Sequence, residues 1–154
     1  MFKNISLTLS WIIFGLLSAI IIYTAYNIIV EQIYLLTPVT NIFEQSIIVP
    51  DFYVDDDPVL QYTKIINDNL IIIYDATIHD LSTDQVICEQ RGENVFNENK
   101  IFTPKITTLE LFMNDKCIGL IKSGQYYIEV TNIIKKDKYP DRLYNVRSNV
   151  FKVT

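Results

Sequence analysis

The chain has 154 residues, with 13 Lys and Arg against 18 Asp and Glu, one His, two Cys and four Gly. All 18 acidic and 12 of the basic residues follow Val30, so that part carries a net charge of −6, which argues against nucleic acid or a uniformly anionic surface as its ligand. No G-x-S-x-G, H-E-x-x-H or phosphate-cradling glycine loop is present.

Trp11 to Val30, WIIFGLLSAIIIYTAYNIIV, holds no charge over twenty positions. At about 1.5 Å per residue it covers roughly 30 Å, the hydrocarbon thickness of a bilayer. Trp11 borders one end and Tyr23, Tyr26 and Tyr34 gather at the other, as interfacial aromatics do. Lys3 precedes the segment, whereas the next basic residue after it is Lys64, a bias that places residues 1–10 in the cytoplasm and the C-terminal part outside it. A cleaved signal peptide needs small residues around its cleavage site, and Tyr23-Thr24-Ala25-Tyr26 offers a bulky one, so an uncleaved signal anchor over 11–30, extensible to 36, is expected. Gly15, Ser18, Ala19 and Ala25 share an arc of about 120°. Such a face lets a second helix approach closely, which makes a homo-oligomer a competing expectation.

Residues 37–58 read as a stalk and acidic linker, interrupted by Pro38 and Pro50, with a short strand at Ser46–Val49. Its DFYVDDDP run has four carboxylates in seven residues, but without the glycine and closing glutamate of a calcium loop it reads as solvated, and no metal is expected. From residue 59 the pattern is of period two. Strands are expected at Gln61–Ile66 and at Leu70–Asp80, the latter opening as a fully buried run and then setting Tyr74, Ala76 and Ile78 against Asp75, Thr77 and His79. Gln85–Gln90 follows, with turns at Leu81–Asp84 and Arg91–Asn94. Val95–Lys105 reads as irregular, Thr108–Met113 and Lys116–Ile121 as a hairpin about Asn114-Asp115, and Tyr126–Ile134 as the clearest strand. Lys135–Asp141 is a charged loop, and Tyr144–Val153 a last strand whose inward parity switches near Ser148-Asn149, as a β-bulge would make it.

Seven or eight short strands at such spacing predict an all-β fold, an antiparallel immunoglobulin or fibronectin-like sandwich over residues 59–154 behind the single helix. Gly124-x-Tyr126, the charged hairpin and the closing Ser148-Asn149-Val150-Phe151-Lys152-Val153 resemble the last hairpin of bacterial immunoglobulin-like modules, carried on small signal-anchored bacterial and phage proteins. The resemblance implies a binding or structural role and transfers no site residues. The chain departs from antibody domains in having its only Trp in the anchor, and in a Cys88–Cys117 spacing too short for the usual inter-sheet bridge.

Cys88 and Cys117 both lie on the exported side, where a structural disulfide or two buried thiols are open to them. Asp75, Thr77 and His79 on one strand face invite acid–base chemistry, but no nucleophile or metal accompanies them, so neither a catalytic site nor a cofactor is expected. From Lys135 onward Lys135, Lys136, Lys138, Arg142, Arg147 and Lys152 outnumber Asp137 and Asp141 by four charges. With Tyr139 and Tyr144 they form a candidate surface for an acidic partner, an unidentified envelope protein or an anionic envelope polymer. The expected function is a membrane-tethered extracytoplasmic binding or adaptor module, and the alternative is a subunit or regulator of a bacterial or phage envelope assembly, acting in lysis or superinfection control by oligomerising in the bilayer.

Overall fold

The computed structural model describes residues 2–54, 56–96, 100–109 and 117–154; for 2–9, 100–107 and 118 it describes the backbone alone. Phe2–Leu36 form one helix, α1. Nothing in its sequence interrupts it, because the hydroxyls of Ser18 and Thr24 donate back to the carbonyls of Phe14 and Ile20 at 2.8 Å rather than competing with the helix. It stops where Thr37 bonds to the Ile33 carbonyl and Pro38 can supply no N–H. Between Ser10 and Leu36 the helix is long and apolar enough to cross a membrane, and its large side chains from Trp11 to Ile29 are exposed all round.

Among its described residues, a second compact unit, Pro38–Thr154, is built mainly of strands, with 3-10 turns at Val39–Asn41 and Ile118–Leu120. In chain order its strands are β1 (Phe43–Ile48), β2 (Val59–Ile66), β3 (Leu70–Asp80), β4 (Val86–Phe96), β5 (Lys100–Thr108), β6 (Gly124–Lys135), β7 (Arg142–Arg147) and β8 (Phe151–Val153). They make two antiparallel sheets, one ordered β1-β2-β5 and one ordered β4-β3-β6-β7 with β8 also on β6. One core joins Ile47, Val49 and Leu60 of the first sheet to Ala76, Ile78, Ile128, Val130, Val146, Phe151 and Val153 of the second. Each fully buried Leu, Ile or Phe there contributes about 1.5–3 kcal/mol.

Above this apolar layer runs a polar tier. Gln45 pairs with Lys64 across β1 and β2, while Gly92, Tyr74, Asn132 and Tyr144 succeed one another across β4, β3, β6 and β7. Lys64 is buried, and its ammonium lies 5.3–5.9 Å from the ring centres of Tyr62, Tyr74, Phe96 and Phe43, within cation–π range of all four.

Several expectations are corrected. Residues 37–58 are not a stalk throughout: β1 and the buried Val49 and Phe52 belong to the core. The acidic run is anchored as well, since Phe52 exchanges backbone bonds with Lys152 and Thr154, and Asp51 accepts from the Lys152 N–H at 2.7 Å. The Asn149 side chain ties the same segment down by a bond in each direction to the Val49 backbone, both 2.8 Å. Arg91–Asn94 is no turn but the middle of β4; Gly92 is there because the Tyr74 ring occupies its side-chain space, with Cε1 2.7 Å from where a Cβ would stand. Within Val95–Lys105 the described residues 95–96 and 100–105 are strand, and Pro104 is accommodated because, among the described residues, β5 is an edge of its sheet and the register slips opposite Thr63. The expected hairpin lies mostly outside the described residues, and within its second arm Ile118–Leu120 is a 3-10 turn. The last strand is two, β7 and β8, parted at the parity switch, where Ser148 exchanges bonds with the Ile128 N–H and carbonyl.

Candidate functional site

The hairpin between β6 and β7 stands at the end of the head where the chain comes in from Pro38. Asn67, in the β2–β3 turn, donates its backbone N–H to the Ile42 carbonyl and its side chain to the Asn41 carbonyl, each at 3.0 Å. Asp68 of that turn forms an ion pair with Lys136. The hairpin reverses over a Tyr139 N–H to Lys136 carbonyl bond of 3.1 Å, with Lys138 in a left-handed conformation, φ 66°. Lys135 meets Asp141 at 3.8 Å, and the Lys136 ammonium lies 5.1 Å from the Tyr139 ring centre. Between this hairpin and the ends of β3 and β4 is an open groove of about 500 Å³, with Leu70, Ile71, Val95 and Phe96 as its apolar wall and Lys135, Lys136 and Lys138 along its rim.

Five of the seven candidate partner residues, Lys135, Lys136, Lys138, Tyr139 and Arg142, are therefore close in sequence and on one hairpin. The other two leave it. Tyr144 turns inward and meets the Phe43 ring edge-on at 5.4 Å. Arg147 sits at the far end of β7, its guanidinium carbon 3.4 Å from the Tyr127 ring centre. Within reach of the hairpin, Lys135 pairs with its own Asp141 and Lys136 with Asp68 of the β2–β3 turn.

Asp75, Thr77 and His79 do share the outer face of β3, but they do not act on one another as a set. Asp75 is held by Arg91 at 3.0 Å. His79 lies flat on Tyr127, ring centres 4.8 Å apart, between Asp84 at 3.7 Å and Glu129 at 3.8 Å. Its Nε2 is 2.9 Å from the Thr77 hydroxyl, which is 3.3 Å from the Glu129 carbonyl. The Thr77 hydroxyl thus lies between the imidazole and a backbone carbonyl, and which of the two it donates to follows the tautomer of His79. The bond from the Tyr127 phenol to Asp84 holds that phenol above its ordinary range, with burial adding to the effect. Asp80 is held below the ordinary carboxylate range by bonds from the hydroxyl and backbone of Ser82. Among the described residues no three His, Cys, Asp or Glu side chains come together as a metal site.

Cys88 and Cys117 are brought to disulfide distance, with 5.5 Å between their Cα atoms and Cys117 buried in the core. On the helix the small-residue face is open: a Cβ added at Gly15 would meet nothing within 4 Å, and Ser18 turns its hydroxyl onto the backbone.

What the sequence reading missed lies in LIIIY. Ile71 is 39 % exposed and Ile73 half-buried, so the run is not buried on both sides; Val95 and Leu143, 62 % and 68 % exposed, extend the same outer face. The parity of β3 already separates Ile71 and Ile73 from Ile72 and Tyr74, and that was the signal available. Comparison with known proteins finds no matching family model, no similar curated protein and no similar solved structure.

Proposed function

We propose that this chain is a membrane-tethered extracytoplasmic binding module. In this reading α1 spans the bilayer with its N-terminus in the cytoplasm, and an immunoglobulin-like sandwich presents the Lys135–Arg142 hairpin to an acidic or anionic component of the envelope, without catalysis. The observation that carries it is the groove of about 500 Å³ at that hairpin, where Lys135, Lys136 and Lys138, interspersed with Asp137 and Asp141, border an apolar wall, so that a partner is oriented by charge at the rim and held by the wall.

A photo-crosslinking residue at Lys138 or Tyr139 of the full chain, in cells, is expected to yield one discrete adduct, with the protein resisting carbonate extraction from membranes. Diffuse labelling of many species, or release by carbonate, overturns the reading. The alternative, a regulator that oligomerises in the bilayer, is favoured by the open face at Gly15, Ser18, Ala19 and Ala25. Gly15→Leu with Ala19→Leu abolishes function in that case and leaves the binding module working.

A further inference from the structure

We propose that the outer face of the β4-β3-β6-β7 path, at the end where the chain comes into the head, is a lipid-contacting surface that lays aliphatic side chains into the headgroup region of a phospholipid bilayer. The inference rests on the reading of α1 as membrane-spanning, and it concerns the sheet face beside the hairpin rather than the hairpin's own partner.

The outer face is graded along the strands. Its first row is Val95, Ile71 and Lys135, and its second Glu93, Ile73, Ile133 and Leu143. The next rows are Arg91, Asp75, Thr131 and Asn145, then Glu89, Thr77, Glu129 and Arg147. Five of the seven residues in the two rows nearest Asn41 and Asn67 are aliphatic, with Lys135 and Glu93 the others, and the rows beyond hold only charged and polar residues. Leu143 and Val95 are among the most exposed aliphatic side chains of the head and stand on the two outer strands of this path, with Ile71, Ile73 and Ile133 on the strands between them, and a soluble domain rarely leaves such a set on a sheet face unless something covers it.

Which occupant fits is decided by the grading. A protein partner has no reason to need the apolar rows beside the tether, whereas a bilayer does. Only Thr37 and Pro38 separate the end of α1 from the first turn of the head, a link of at most about 3.6 Å per residue. If α1 is inserted, this end of the head is the part tethered nearest to the lipid along the chain. The rim has the matching chemistry: Lys135, Lys136 and Lys138 have long stems that lie along apolar surface while their ammonium groups reach phosphates, and Tyr139 is an amphipathic ring of the kind found at interfaces. Because Lys135 and Lys136 are balanced by Asp141 and Asp68, insertion of apolar side chains drives the contact and headgroup charge adds little. The contact therefore forms on zwitterionic phosphatidylcholine and persists at high salt.

The test uses the full chain carrying Trp11→Phe, reconstituted in phosphatidylcholine vesicles with brominated acyl chains, and a single tryptophan placed by Leu143→Trp, Val95→Trp or Glu89→Trp. All three positions are exposed, so the head tolerates the new ring. The tryptophans at 143 and 95 are expected to be quenched severalfold more strongly than the one at 89, with little change in molar salt. Equal quenching at the three positions overturns the surface. A photo-crosslinker at Leu143 that captures a protein in cells, and no lipid, overturns it too. Unquenched protein that still resists carbonate extraction removes this surface and leaves the tethered module standing; protein that leaves the vesicles removes both.

Discussion

Reducing the bridge between Cys88 and Cys117 should separate the stability of the head into a part due to packing and a part due to the closed loop. The two residues are 29 apart, and the chain-entropy relation for a loop of that size gives about 12 cal/mol/K, or about 3.6 kcal/mol at 25 °C. A Cα separation of 5.5 Å lies within the ordinary range, so little of this is offset by displaced backbone. For the Pro38–Thr154 unit, at about 2.1 cal/mol/K of unfolding entropy per residue, the loss corresponds to a fall in Tm of about 15 °C. The assay is thermal unfolding of the full chain in detergent, followed by near-ultraviolet circular dichroism, with and without reductant, beside the Cys88→Ala/Cys117→Ala double variant. Wild type should melt about 15 °C lower when reduced, and the double variant should melt at one temperature in both conditions. A shift under about 3 °C would refute the reasoning: either the thiols are unbridged or the unfolded chain is already held compact between them.

Other outcomes follow from single contacts. Asn149→Ala leaves the N–H and carbonyl of buried Val49 without their partners and should cost roughly 2–4 kcal/mol in a denaturant titration, releasing Asp51–Val54 to proteolysis. Gly92→Ala forces the Tyr74 ring off its place beside Lys64, for roughly 1–3 kcal/mol, and paired with Tyr74→Ala it should be nearly neutral; a double-mutant cycle reads the difference. Burial, and then the charge of Tyr74, raises the Tyr62 phenol above the ordinary 10.0. Below that pH neither state ionises Tyr62; above it the unfolded chain loses the proton first, so the head should lose stability as pH rises past 10, and Tyr62→Phe should flatten that alkaline limb in urea titrations.

How far the sequence could be read depended on the range of the interaction responsible. The uncharged run to Val30 and the stop at Pro38 are local properties, and α1 was legible from them. So were the alternation of Leu70–Asp80 and Tyr126–Ile134, which places Ala76, Ile78, Ile128 and Val130 inward whatever lies opposite. The all-β class and the two faces of β3 follow from that periodicity, and the parity switch at Ser148-Asn149 marked a real break between β7 and β8.

Composition misled where a partner strand overrode it. Gly92 looks like a turn residue, yet it continues β4 because Tyr74 across the ladder fills its place, and Pro104 looks like a strand breaker, yet it sits at a register slip on an edge. No pattern within DFYVDDDP shows that Phe52 will lie against β8, because that pairing closes a loop of about a hundred residues. The candidate site divides in the same way. That Lys135, Lys136, Lys138, Tyr139 and Arg142 stand together follows from their nearness in the chain; that Tyr144 turns into the core and Arg147 joins Tyr127 follows from β7 alternating against β6. Chain order alone thus determined the helix, the strand periodicity and the charged hairpin, since each depends on residues a few positions apart. Only the tertiary structure decided that Lys64 has four rings around it, that Cys88 meets Cys117, and that the aliphatic rows of the outer sheet lie beside the incoming chain, because these depend on which strands pair and in what register.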